Sequence, residues 1–220
     1  MPTLILPPRY TVDSIKLWKS AIALNWEVER LQSWRISPNK KIEDAVIYGE
    51  PLFAKIIAEH LSIELLEPDL DWLTTLSKNY VKRNIIFTTL ETVKNIQKAA
   101  FIKPAADKCF PAKVYNFGEE LTQIESLPKD TLILISEPVD WEIEFRCFVC
   151  DRETAHYGDR AIKTMSSYWR NGQSTEQDDG SWYATELEYK QAAEFCHKVI
   201  NDPLVKIPNA VVDVGKIRGK

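Results

Sequence analysis

Hydrophobic and polar positions in the first third of the chain switch repeatedly between a strand period and a helix period. "LILPP" is a short apolar strand ended by prolines. "VDSIKLWKSAIAL" then places Ile15, Trp18 and Ile22 at helical spacing, with Asp13 or Ser14 as the cap. "WEVERL" reads as a strand, and "DAVIYG" as a second apolar run closed by Gly49. In "PLFAKIIAEHL", Pro51 suits the first turn of a helix that carries Phe53, Ile56 and Ile57 on one face. "IELLEP" completes a βαββαβ rhythm. The pattern predicts a small, parallel-rich α/β domain over residues 1–68.

From residue 69 the rhythm changes. "PDLDWLTTLSKNYVKR" reads as a helix with Leu70, Leu73 and Leu76 on one side, and "TLETVKNIQ" as a shorter one. Strand signals follow in quick succession: "AAFIKP", "AKVYNF", "TLILISEPV", "EIEFRCFVCD" and "ETAHYG". Neighbours joined this closely pair antiparallel, because a parallel pair needs a long crossover. Residues 163–181, rich in Ser, Asn, Gly and Asp, read as a long loop and hence as a mobile lid or substrate loop. "ATELEYKQAAEFCHKVIND" is the strongest helix signal and "NAVVDVG" a final strand. The second region, residues 69–220, is therefore expected to be an α+β domain built on antiparallel sheet.

Composition narrows the function classes. Hydrophobic residues at 45% and charged residues at 27% are ordinary for a globular protein. A net charge of −4 and a pI near 5.5 argue against a nonspecific nucleic-acid binder. There is no KxDG-like motif for a lysine-nucleophile enzyme acting on nucleic acid. No apolar run approaches the roughly 18 residues of a membrane span, and the N-terminus lacks the pattern of a secretory signal. Cys109, Cys147, Cys150 and Cys196 are too few and scattered for a disulfide scaffold, so a reduced, cytoplasmic setting is expected. In the CxxC of "CFVC", strand periodicity sends the two sulfurs to opposite faces, which speaks against a metal site. The seven tryptophans fit core and rim positions better than base stacking, given the acidic balance. His60 and His197 read as helix-face residues, and His156 as an unassigned strand residue.

Three constellations could carry chemistry. In "FIKPAADKCFPAKVY" two strand-like runs each carry a lysine at the margin, Lys103 and Lys113. Lysine is a compact charge suited to phosphate oxygens, although solvated lysines are also common. Neither GxxxxGK[ST] nor GxGxxG is present, so a P-loop and a dinucleotide fingerprint are both excluded. In "LILISEPVDWEIEFRCFV", a strand runs into Glu137, Pro138 and Val139 and returns with Glu144 and Arg146 on one face. The plainer alternative there is a solvated face with a cross-strand ion pair. In "VVDVG", Asp213 interrupts an apolar strand. A buried carboxylate needs a partner, either Mg²⁺ or an ordinary hydrogen bond.

Taken in this order, the three segments resemble the ATP-grasp superfamily, and within it the clade named for two arginines and a lysine. The resemblance spans residues 80–215 and implies a nucleotide held between two α+β subdomains, with ATP and Mg²⁺ as cofactors. It implies Lys103 on the phosphates, with Lys113 as a second lysine, and Glu137, Pro138 and Val139 beside the adenine. Glu144 would take ribose or metal-linked water, Arg146 phosphate or acyl phosphate as the catalytic residue, and Asp213 the metal. Arg83 and Arg160 are both candidates for a further family arginine. The implied activity is a carboxylate–amine or carboxylate–thiol ligase with small-molecule or peptide substrates. The alternative is a nucleotide-binding interaction module without ligase activity. The family pattern continues into a further metal-binding Glu-x-Asn strand, whereas the sequence ends at "KIRGK". Either the polypeptide is a truncated form or its metal site is incomplete, and nucleotide binding with little or no turnover is expected on that basis.

Overall fold

In the computed structural model, which describes residues 1–37, 42–106, 108–116, 124, 126–151 and 160–217, the chain falls into two units, Met1–Leu66 and Glu67–Lys220. The first is organised by parallel pairing. Strand β1 (Thr3–Leu6) lies between β2 (Glu27–Arg30) and β3 (Ala45–Ile47), and both pairs are parallel. A strand buried on both faces needs a continuous apolar run, which "LIL" supplies. Ile5 packs with Phe53 and Ile57 of helix α2 (Pro51–Leu61), while Leu4 and Leu6 pack with Ala21 of helix α1 (Val12–Ala23).

Three sequence expectations fail in this unit. Ile15, Trp18 and Ile22 are exposed, and Ser14 and Ala21 are the buried residues of α1. The N-cap is Thr11, whose hydroxyl accepts from the Ser14 backbone N–H while Ser14 Oγ accepts from the Thr11 N–H. Helical spacing alone locates a stripe without deciding that it faces the core. "IELLEP" also forms no strand, and Leu65 and Leu66 remain exposed beside Pro68.

The second unit carries two antiparallel sheets. Strands β4 (Ile85–Thr89), β5 (Ala100–Pro104), β6 (Lys113–Tyr115) and β7 (Leu132–Ser136) form one sheet in the order β4-β7-β5-β6. Strands β8 (Trp141–Asp151), β9 (Arg160–Arg170), β10 (Gln173–Ser174) and β11 (Ala210–Ile217) form the other, in the order β10-β9-β8-β11. The predicted helix over "PDLDWLTTLSKNYVKR" is broken into α3 (Trp72–Thr75) and α4 (Lys78–Val81), and "TLETVKN" is a 3₁₀ turn over Leu90–Asn95. Strand β4 comes from "NIIFTT", which the pattern did not mark, and the predicted strand "ETAHYG", with His156, lies outside the described residues.

Residues 163–181 do not form the expected loop. Lys163 to Arg170 makes up most of β9, paired with β8. Asn171 and Gly172 turn the chain back into β10 with φ of 50° and 78°. Two consecutive positive φ values match the twist of a two-residue hairpin, and Asn-Gly tolerates them. Beyond the turn, Thr175 is buried and its hydroxyl donates to Ser167 Oγ at 3.2 Å.

Helix α5 (Glu186–Ile200) packs Cys196, Val199 and Ile200 against Ile143, Phe145, Cys147 and Val149 of β8. A hydrogen bond to Cys196, together with burial, raises the Cys147 thiol pKa and keeps it protonated. The start of α5 is held by a reciprocal box between Thr185 and Glu188, and Glu188 also accepts two bonds from Arg170 at 2.9 and 3.0 Å. Chiefly because of Arg170, Glu188 is lowered from an ordinary 4.5 to about 2. Its folded pKa lies below its unfolded one, so its stabilisation is full above pH 4.5 and is lost as pH falls toward 2. Urea unfolding at stepped pH should show Glu188→Gln about 1 kcal/mol less stable than wild type near neutrality, the gap closing through that window. A gap that stays constant with pH would contradict this assignment.

Candidate nucleotide site

The site is built from strand alternation on β8 and β11. On β8, Ile143, Phe145, Cys147 and Val149 are buried, which sends Glu144, Arg146 and Phe148 to the opposite, open face, as the pattern predicted. On β11, Val212 and Val214 take the core side, so Asp213 also lies on the open face, directly opposite Arg146 in register. Asp213 is therefore not the buried carboxylate that its apolar neighbours suggested. Its partner is Arg146, whose Nε donates to Oδ1 at 3.0 Å and Nη2 to Oδ2 at 2.9 Å. The Tyr168 hydroxyl donates to Asp213 Oδ2 at 3.3 Å, and the Arg146 guanidinium sits 4.7 Å from the centre of the Tyr168 ring. The hydrogen bonds to Asp213 hold the Arg146 pKa above its ordinary value.

The other sheet supplies Lys103 on β5. Ile102 is fully buried in that sheet's core, so Lys103 points to the opposite face, beside its register partner Leu134 on β7. Burial lowers the Lys103 pKa, the nearby Arg83 lowers it further, and Asp213 on β11 acts in the opposite direction. Charges carried by the two sheets are thus close enough to act on one another.

Arg83, just before β4, lies 5.0 Å from the Trp141 ring centre. Burial lowers its pKa against the pull of Glu144. Glu144 is raised by burial and then by Asp213, with Arg83 and Arg146 opposing. Arg83, Lys103 and Arg146 face Glu144 and Asp213, three cations against two carboxylates. A partly buried lysine whose charge is opposed by burial and by a neighbouring arginine is relieved by an incoming anion.

Not every candidate joins this group. Lys113 pairs with Ile102 and so shares the face opposite to Lys103, with its Nζ 4.9 Å from the Tyr115 ring. Arg160, at the other end of β9, has Asp151 as its strand partner; its backbone N–H donates to Asn201 Oδ1, and its Nη1 lies 3.5 Å from the Val205 carbonyl oxygen. Of the two candidate arginines, Arg83 is the one brought to the cluster. Glu137 accepts from Asn84 Nδ2 at 2.7 Å, and half-buried Pro138 and Val139 lie in the four-residue link between β7 and β8. Cys147 and Cys150 fall on opposite faces of β8. Among the described residues, no group of three or more His, Cys, Asp or Glu is placed to hold a metal. No described helix is long and apolar enough to cross a membrane.

The second unit thus joins two four-stranded antiparallel sheets, with charged residues of one acting on those of the other. Residues 80–220 match the ATP-grasp domain of family 2 in the clade named for two arginines and a lysine, and the chain belongs to that family. No curated protein sequence matches the chain. Among solved structures, it is similar to a RimK domain ATP-grasp protein from Sphaerobacter thermophilus, with 12% identity and a TM-score of 0.53 over 99% of this chain and 86% of that one. It is also similar to D-alanine–D-alanine ligase from Bacillus anthracis, with 15% identity, a TM-score of 0.51 and coverage of 99% and 83%. A third is N5-carboxyaminoimidazole synthetase from Staphylococcus aureus complexed with ADP, with 12% identity, a TM-score of 0.56 and coverage of 98% and 66%. At these identities the likeness is one of fold.

Proposed function

We propose that the chain binds ATP and acts as an ATP-dependent carboxylate–amine or carboxylate–thiol ligase. The observation that carries this reading is the grouping of Arg83, Lys103 and Arg146 from two sheets around Glu144 and Asp213. In the proposed reaction a carboxylate oxygen attacks the γ-phosphorus of ATP and ADP leaves. An amine or thiol then attacks the acyl carbon, loses its proton, and phosphate departs. Lys103 and Arg83 would hold phosphate oxygens, and Arg146 would stabilise the charge that builds on the transferring group. The 137–140 link would flank the adenine.

Glu144 and Asp213, on adjacent strands, fit Mg²⁺, which takes one or two carboxylates together with phosphate oxygens and water. Bound Mg²⁺ would supply charge neutralisation at the phosphates. Both Asp213 oxygens are held by Arg146, so Arg146 must release at least one of them. That engagement favours a second reading, a nucleotide-binding module without turnover.

Calorimetry with ATP and with ADP, each with and without Mg²⁺, tests the binding. ADP release on screening carboxylates against amino acids, peptides and thiols tests the ligase. ATP binding with slow ADP release, well below that of a complete metal site, is the expected result. Binding without release from any substrate pair selects the second reading, and no nucleotide binding overturns both.

A further inference from the structure

Tyr168 is not among the residues that the sequence pattern singles out, yet it touches both members of the central ion pair. Its position depends on an irregularity in β9. Trp169 lies opposite Glu144 on the open face, and Ser167 lies opposite Phe145 on the core face, where it is fully buried. Tyr168 falls between those two register positions without a partner on β8, so it is the extra residue of a β-bulge. In a regular strand, Tyr168 and Trp169 would point to opposite faces. The bulge re-aims Tyr168, so two consecutive aromatics serve the open face, with ring centres 6.4 Å apart in a T-shaped contact.

We propose that Tyr168 is a positioning residue of the nucleotide site, anchoring Asp213 through its hydroxyl and supporting the Arg146 guanidinium on its ring. This rests on the nucleotide reading above. When ligand engages the site, Arg146 and Asp213 must exchange bonds with each other for bonds to phosphate and metal. Tyr168 carries no charge to give up. Its ring and hydroxyl can hold both groups on the open face throughout that exchange, limiting the rotamers each side chain must search. Burial and the neighbouring Asp213 push the phenol pKa up, so the hydroxyl stays a donor.

Two variants separate the parts. Tyr168→Phe keeps the ring and removes the hydroxyl; Tyr168→Leu removes both. By calorimetry, Mg-ADP binding is expected to weaken about threefold in Tyr168→Phe and about tenfold in Tyr168→Leu. A double-mutant cycle of Tyr168→Phe with Asp213→Asn should be non-additive by about threefold, because the hydroxyl acts through that carboxylate. A purely structural tyrosine would give additive losses. Without nucleotide, the Arg146 Nε–H should exchange with water faster in Tyr168→Leu than in wild type, as read by ¹⁵N NMR. Additive losses in the cycle, or unchanged Arg146 exchange in both variants, would overturn the positioning role. If the wild type binds no Mg-ADP, the nucleotide reading and the role that rests on it both fail. Faster Arg146 exchange in Tyr168→Leu would then mark a purely structural contact.

Discussion

Lys103→Ala is expected to weaken ATP binding by between about tenfold and about a hundredfold, the range of a charge-assisted contact, while leaving the fold intact. The two halves of that expectation have one cause. Lys103 is half-buried on the face of β5 opposite the core, and both burial and Arg83 act against its charge. Without ligand, the ammonium therefore contributes little to stability, and alanine removes an unfavourable charge contact as well as a stem. The melting temperature should stay unchanged or rise slightly, the pattern expected when a functional site is held against stability. With ligand, the same charge meets phosphate in a setting where water screens it poorly. Lys113→Ala is the matched control: its strand partner is Ile102, so it stands on the other face and should alter affinity by less than about twofold. Equal losses in the two variants would show that the lysines work as a pair and that the register argument fails. Unchanged affinity in a folded Lys103→Ala variant would remove the lysine from the site.

Much of the second unit was legible because its signals are local. The alternation in "WEIEFRCFVCD" sorted inward and outward residues of β8 correctly, and the strongest helix signal in the chain became α5. Composition misled at residues 163–181, where polar residues looked like a loop because β9 exposes one face. The corrective signal was present: Asn171-Gly172 between two β-capable runs is a hairpin marker, and it outweighs local polarity. On α1, spacing defined a stripe correctly but not its environment, which depends on where Ala21 meets the sheet.

The site was legible to the extent that strand position fixes direction. Glu144 and Arg146 share a face by period, and Lys103 opposes Ile102 by the same rule. What sequence could not supply was register. Asp213 meets Arg146 because β11 pairs with β8 at one offset, and a shift of one residue would send Asp213 into the core. Only pairing shows that Lys113 faces away from Lys103, and that Arg83 rather than Arg160 reaches the cluster. The bulge at Tyr168 has no sequence signature here at all.

Gly215→Ala should be among the most damaging single substitutions in the second unit, although it adds only one methyl group. Gly215 sits in β11 opposite Glu144, and it is not among the glycines with positive φ. Space, rather than backbone freedom, is what requires glycine there. A Cβ would lie 2.8 Å from the Ile143 carbonyl oxygen and 2.9 Å from Cε3 and Cζ3 of Trp141. A flexible side chain could yield, but the carbonyl belongs to the sheet, so β11 and β8 would have to separate. Overpacking of this kind costs about 2–3 kcal/mol, which corresponds to a fall of about 5–10 °C in melting temperature for a unit of this size. The damage should also reach the nucleotide. The Trp141 ring that would be pushed is the one beneath Arg83, and Arg83 acts on both Lys103 and Glu144. Adding Trp141→Leu to Gly215→Ala should therefore recover part of the melting temperature, because the ring contact is relieved while the carbonyl contact remains. It should recover none of the ATP affinity, because Arg83 then loses its aromatic support. Differential scanning fluorimetry and calorimetry on the two single variants and the double variant separate these effects. A Gly215→Ala variant that melts and binds like wild type would show that the two strands relax freely at this point, and that the close approach of Trp141 is not what places Arg83.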